Sequence, residues 1–146
     1  MDEDKKKILE EKYQKFLTTE FVVFDIETSG LDPQKDEVLE IAGIKMLGPK
    51  ETARFEFLIQ PTKPIPAEVE KINGLNELFL LVNGRPATQV IKDFFDFSQK
   101  AIMVGHNIKD FDWLFLLSFA KKNNWPQPVN QLIDTLLLSR KMLSLP

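Results

Sequence analysis

The ten residues FVVFDIETSG, 21–30, place two carboxylates, Asp25 and Glu27, in a run that otherwise reads as a buried β-strand. Val22, Val23, Phe24 and Ile26 give it the β-branched and aromatic character of a core strand, and Thr28-Ser29-Gly30 marks its end. Residues two apart on a strand face the same way, so Asp25 and Glu27 share a side, about 6–7 Å apart along the backbone. Two like charges about 6 Å apart repel by roughly 2–3 kcal/mol at an effective dielectric of about 20, before any cost of leaving water. The pair therefore shares protons, meets basic side chains, binds a cation, or stands solvated at an exposed strand end. Acids at the carboxyl end of a rigid strand are also well placed to line a crevice.

A third acid narrows that choice. In HNIKDFDWLFL, 106–116, Asp110 lies just ahead of an apolar run and suits a helix N-cap. Asp112 then falls in the first helical turn, on the face shared with Phe115, Leu116 and Phe119. A helix N-terminus favours an ionised carboxylate by only ~0.3–1 kcal/mol, too little to bury one unaided. A divalent ion shared by Asp25, Glu27 and Asp112 accounts for all three acids together. An all-oxygen donor set suits Mg²⁺ or Mn²⁺. Zinc prefers thiolates or clustered imidazoles, and this sequence has no cysteine and one histidine.

The rest of the chain supplies the frame. At 146 residues it is one domain by length, with no internal repeat. Residues 2–17 read as an amphipathic leader helix capped by Asp2 or Asp4, with Ile8, Leu9, Tyr13, Phe16 and Leu17 on its apolar stripe. Strand-like runs at 21–26, 38–46 and 52–59 are joined by short turn-rich links, as in antiparallel neighbours. The segment 61–77 reads as a loop and then a weak helix broken at Asn73-Gly74. A helix follows from Pro86, with Val90, Ile91, Phe94 and Phe95 on one face. AIMVG, 101–105, has the composition of a strand buried on both faces, and LIDTLLLSRKML, 132–143, reads as a short strand turning into a helix. This pattern predicts an α/β domain with a mixed sheet, three antiparallel strands followed by parallel ones. The formal charge of −3 gives no basic footprint for broad phosphate neutralisation. No apolar run is long enough to span a bilayer, and the expected location is cytoplasmic.

Four segments, FVVFDIETSGLDPQKDEVLEIAGIKM, IQPTKPIPAEVEKINGLNE, VGHNIKDFDWLFL and LIDTLLLSRKML, occur in the order and spacing of the DnaQ-like (DEDD) 3′–5′ exonuclease family. The resemblance covers residues 21–146, leaving 1–20 as the leader. D-x-E-T-x-G-L followed later by H-N-x-x-x-F-D-x-x-F-L is specific in combination and weak in either half. The resemblance implies a ribonuclease-H-like fold and 3′-end hydrolysis of DNA or RNA, in proofreading or repair beside a DNA polymerase subunit, or in RNA turnover. It also implies that Asp25, Glu27 and Asp112 hold two Mg²⁺ or Mn²⁺ ions. In that assignment Asp25 bridges them, Glu27 holds the ion on the nucleophile side and Asp112 helps the other. Thr28, Gly30 and Leu31 would border the terminal nucleotide, with Leu31 a wedge against its base. His106 and Asn107 match the family's HN pair, which lies near the site and is not the general base. Many members have two residues between HN and FD, whereas Ile108-Lys109-Asp110 makes three here, which keeps Asp110 as a rival to Asp112.

The family also needs a His or Tyr base and a fourth Asp on a helix after the DTL segment. After Asp134, expected to bond at a strand end, the chain reads TLLLSRKMLSLP and holds no His, Tyr, Asp or Glu. The expectation is therefore a domain whose C-terminal catalytic helix is missing. Truncation is the first explanation, because the earlier motifs are intact. The alternatives are a helix supplied by another polypeptide, or a module that binds nucleic-acid ends or a polymerase without cutting.

Overall fold

A computed structural model describes residues 2–143; Met1 of the expected leader and residues 144–146 of the expected domain lie outside the described residues. Its centre is a five-stranded sheet in the order β3-β2-β1-β4-β5. The strands are β1 (Glu20–Thr28), β2 (Val38–Leu47), β3 (Lys50–Leu58), β4 (Ile102–Gly105) and β5 (Leu132–Asp134). β1, β2 and β3 pair antiparallel, whereas β4 joins β1 and β5 joins β4 in parallel. This is the mixed sheet that the strand and helix pattern predicts.

Strict alternation in β1 divides the sheet into two unlike faces. Val22, Phe24 and Ile26 are buried and point toward α4 (Ala87–Phe97) and α5 (Asp112–Lys122). Their cluster takes in Ile41 and Phe55 from the sheet, Val90, Ile91 and Phe94 from α4, and Trp113, Phe115 and Leu116 from α5. Phe24 sits 5.4 Å from the Phe94 ring and 6.3 Å from Trp113. Burying each such side chain contributes about 1.5–3 kcal/mol. Phe21, Val23, Asp25 and Glu27 occupy the other face, and Val23 is 44% exposed. The two acids are therefore not on the core side of their strand. Nor is β4 buried on both faces: Met103 is fully buried, while Ile102 and Val104 are only half-buried.

α1 (Glu3–Leu17) is capped by Asp2, whose side chain accepts from the Asp4 N–H. It meets the sheet through Phe16 on Phe21, at 5.7 Å, and through the Thr19 carbonyl accepting from Gly48 N–H. Ile8, Leu9 and Tyr13 stay exposed, so the apolar stripe does not lie flat on the domain.

α2 (Ala67–Asn73) is the weak helix expected in 61–77, and a further helix, α3 (Glu77–Asn83), follows it where the sequence reading predicts no element. α2 ends at Gly74, whose φ of 74° is left-handed. α3 begins where the Asn76 side chain accepts from Phe79 N–H. It was not foreseen, because Leu78, Phe79, Leu81 and Val82 are exposed and only Leu80 is buried, so its apolar residues do not follow a helical period. The final helix is α6 (Thr135–Leu143), directly after β5.

Candidate active site

β1 carries Asp25 and Glu27 to its carboxyl end, and a bulge there shifts the pairing with β2 between Glu27 and Thr28. Bulges re-aim side chains at the ends of pairing. Beside it, β4 stops at Gly105 and leaves β1 without a parallel neighbour beyond Val23. Asp112 enters that gap from the first residue of α5, and its Oδ1 accepts the Ile26 N–H at 3.1 Å. The bond ties two residues 86 apart in sequence and explains how a carboxylate comes to be 2% exposed.

Asp110 is not the cap of α5. Phe111 holds that position with φ −135° and ψ −86° and makes no side-chain cap bond, while Asp110 is exposed. The turn before the helix is wide: Asn107 O accepts from both Asp110 N–H and Phe111 N–H, which delays the first helical residue to Asp112. Asp112, not Asp110, therefore reaches β1, as the FDWLFL match favours.

The electrostatics of these acids are one-sided. Burial pushes the Asp112 carboxyl up to about 6, and the neighbouring Asp25 charge adds to the rise. The Ile26 N–H and the residue's own backbone N–H oppose it. Glu27 is raised by burial, then by Asp25 and Glu40. Glu40, its cross-strand neighbour on β2, is raised by burial, Glu56 and Asp25. No lysine or arginine contributes to any of these three shifts. Glu40 was missed from sequence; its place in VLEIA, between residues that pack inward, was the available signal.

Among the described residues, no group of three or more His, Asp or Glu side chains closes far enough to cage an ion. The Asp25 charge adds to the rise at both Asp112 and Glu27. All-oxygen donors, mutually repelling and without a cationic side chain, still fit a hard divalent cation best.

The loop after β1 is held in place from several sides. Thr28 Oγ1 donates to Gly30 O at 2.6 Å, and Ser29 Oγ accepts from Glu37 N–H. A Cβ on Gly30 would run into the Asp36 carboxylate, which accepts the Asp32 N–H, so a side chain there would push that carboxylate out of its bond. From α5, Ser118 Oγ donates to Pro33 O at 2.6 Å and Lys122 Nζ to Gln34 O at 2.8 Å. At the loop's tip Leu31 is 83% exposed. His106 and Asn107 begin the β4–α5 loop; His106 Nδ1 lies 3.2 Å from Thr135 Oγ1, and Asn107 N–H donates to Asp134. Thr28, Gly30 and Leu31 are thus gathered next to Asp25 and Glu27, while His106 and Asn107 face β5.

A cavity of about 770 Å³, lined by Phe95, Trp125, Pro126 and Val129, opens at the amino end of β4. It is separate from the acids, which gather at the carboxyl ends of the strands.

A sequence model of the exonuclease family of RNase T matches residues 22–145, and the chain belongs to that family. It is 38% identical to DNA polymerase III PolC-type of Thermotoga maritima over 128 residues, which cover 86% of this chain and 9% of that protein. It is 39% identical over 127 residues to the PolC-type polymerase of Caldanaerobacter subterraneus, covering 86% of this chain and 9% of that protein. The chain thus spans about a tenth of the length of these relatives. Among solved structures, product-bound exonuclease I superposes with a TM-score of 0.82 at 18% identity, over 88% of this chain and 32% of that one. E. coli exonuclease I in complex with a dT13 oligonucleotide gives 0.81 at 18% identity, over 88% of this chain and 30% of that one. The fold is therefore ribonuclease-H-like. Exonucleases of this family generally work with divalent metal ions. No described helix is long and apolar enough to cross a membrane.

Proposed function

We propose that residues 21–146 form a 3′–5′ exonuclease unit, with residues 1–20 as a leader, that removes mononucleotides from the 3′ ends of single-stranded DNA. The observation that carries this reading is the Asp112 carboxylate, buried at the carboxyl end of β1 by its bond to Ile26 N–H and pushed up by burial and by the Asp25 charge, with no described lysine or arginine contributing to the shift. Asp25, Glu27 and Asp112 would hold Mg²⁺ or Mn²⁺. Divalent ions bound there would lower the pKa of a water molecule and stabilise charge on the attacking and leaving oxygens.

The chain's own residues supply position. The Ile26 N–H orients Asp112, and the β1 bulge sets Glu27 at the strand end. Thr28 and the Gly30-Leu31 backbone border the terminal nucleotide, and exposed Leu31 offers an apolar edge to its base. His106 and Asn107 flank the entrance on the β4 side. Water adds to phosphorus, the bond to the 3′ oxygen of the preceding nucleotide breaks, and that oxygen leaves as the new 3′ hydroxyl. DNA is favoured over RNA by the PolC-type relatives and by the exonuclease I structure with dT13. The same relatives favour a proofreading role beside a DNA polymerase in the cytoplasm.

A second reading is a module that binds 3′ ends without cutting. One assay separates the two, using 3′-labelled single-stranded DNA and short RNA with and without Mn²⁺. The exonuclease reading expects Mn²⁺-dependent nucleotide release, faster on DNA, and slowed by about 10²–10³-fold in Asp25→Ala. Binding of the labelled ends without release, unchanged in Asp25→Ala, selects the other.

A further inference from the structure

We propose that Asp134 is a positioning residue for Asp112, acting through the β4–α5 loop. Asp134 ends β5 beside Gly105, the last residue of β4, and is 4% exposed. Its Oδ1 accepts from Asn107 N–H and Leu136 N–H, both at 2.9 Å, and its Oδ2 accepts from Lys109 N–H at 3.1 Å. The Leu136 bond is local and caps the start of α6. The other two reach across to the loop that leads into Asp112, and a helix cap alone requires neither.

Asn107 has φ 61°, in the left-handed region that asparagine adopts more readily than other non-glycine residues and that bonds from the surroundings help to fix. Asp134 grips the amide of that residue and the amide two residues on. Thr135 adds a third tie, with Oγ1 donating to Gly105 O at 3.1 Å. Between them Ile108 is fully buried, and its carbonyl accepts from Trp113 N–H at 2.9 Å, one residue past Asp112. A chain of fixed points therefore runs from β5 through Asn107, Ile108 and Lys109 to the Asp112 carboxylate and the Ile26 N–H. Burial pushes the Asp134 carboxyl up, but the backbone N–H groups it accepts outweigh this and hold it below its usual range, so it stays an ionised acceptor. Removing a side chain that orients a ligand typically costs 10–100-fold in metal affinity.

The consequence for metal affinity rests on the function proposed above; the geometric claim does not. In the unaltered 146-residue chain, amide hydrogen exchange should show Ile26, Asn107 and Lys109 opening together, with one opening free energy and one denaturant slope. Asp134→Ser should keep the α6 cap, since serine caps well, but is too short to reach the loop. It should speed exchange at Ile26 at least about tenfold, leave Met103 protected, and weaken Mn²⁺ binding about 10–100-fold. In an Asp112→Ala background, where Ile26 N–H has lost its acceptor, Asp134→Ser should change neither readout further. Independent opening of Ile26 and the loop amides, or a folded Asp134→Ser chain with unaltered Ile26 exchange, overturns the proposal. If Asp112→Asn alone leaves Mn²⁺ affinity untouched, the metal reading fails while the exchange result still decides the positioning role.

Discussion

On one side of β1, Val22, Phe24 and Ile26 are each no more than 5% exposed and meet the aromatic rings and aliphatic chains of α4 and α5. On the other, Asp25 is exposed and Glu27 half-buried opposite Glu40, and the Asp25 charge adds to the rise at Asp112. The two sets alternate residue by residue along one strand. The difference shows how a small domain holds mutually repelling charges: one face supplies the rigidity, and the other is held in place by it. Changes on the first face should cost stability, and changes on the second should cost chemistry.

Phe24→Ala gives the largest expected effect, because it empties a site in contact with Phe94 and Trp113. Urea unfolding should show a loss of about 3–5 kcal/mol. A loss below about 1 kcal/mol would mean that the core is not centred on β1. Asp25→Ala should leave stability unchanged or slightly higher, since it relieves repulsion, yet cut nucleotide release by about 10²–10³-fold. Equal damage to folding and activity would erase the contrast between the faces.

Asp112 belongs to both faces, and pH exposes its double role. The folded chain keeps its proton up to about pH 6, whereas the unfolded chain loses it near the ordinary value of 3.8. Between those values the folded state binds more protons, so metal-free stability should fall as pH rises from about 4 to about 6. A rise of this size corresponds to at most about 3 kcal/mol, and about 1–2 kcal/mol after screening by solvent. Denaturant titrations at several pH values should show the slope, and Asp112→Asn should flatten it. Smallest is Leu31→Ala. It should leave stability within about 0.5 kcal/mol, because the side chain is 83% exposed, and raise KM for DNA a few-fold with kcat little changed.

Local patterns made much of this legible in sequence. The strand-like runs at 21–26, 38–46 and 52–59 and the turn-rich links between them predicted the antiparallel strands, and FDWLFL marked Asp112 because an acid on an apolar helical face needs a partner. What sequence could not supply was the sidedness of the sheet. Val23 reads like Val22, and only the third dimension shows which of them α4 and α5 cover. The cap of α5 was misread for a similar reason: Asp110 has the chemistry of a cap, but the left-handed Asn107 and the wide turn behind it move the helix start. α3 was missed because its exposed leucines, valine and phenylalanine carry no period. Glu40 was missed because its partner lies across the strand pair.

The most direct test of the central claim is anomalous diffraction from crystals soaked in Mn²⁺. The account predicts Mn²⁺ bound by carboxylate oxygens of both Asp25 and Asp112, at about 2.0–2.3 Å, with Glu27 drawn inward. Saturating Mn²⁺ that leaves this carboxylate pair empty, or that binds only elsewhere on the chain, would contradict it.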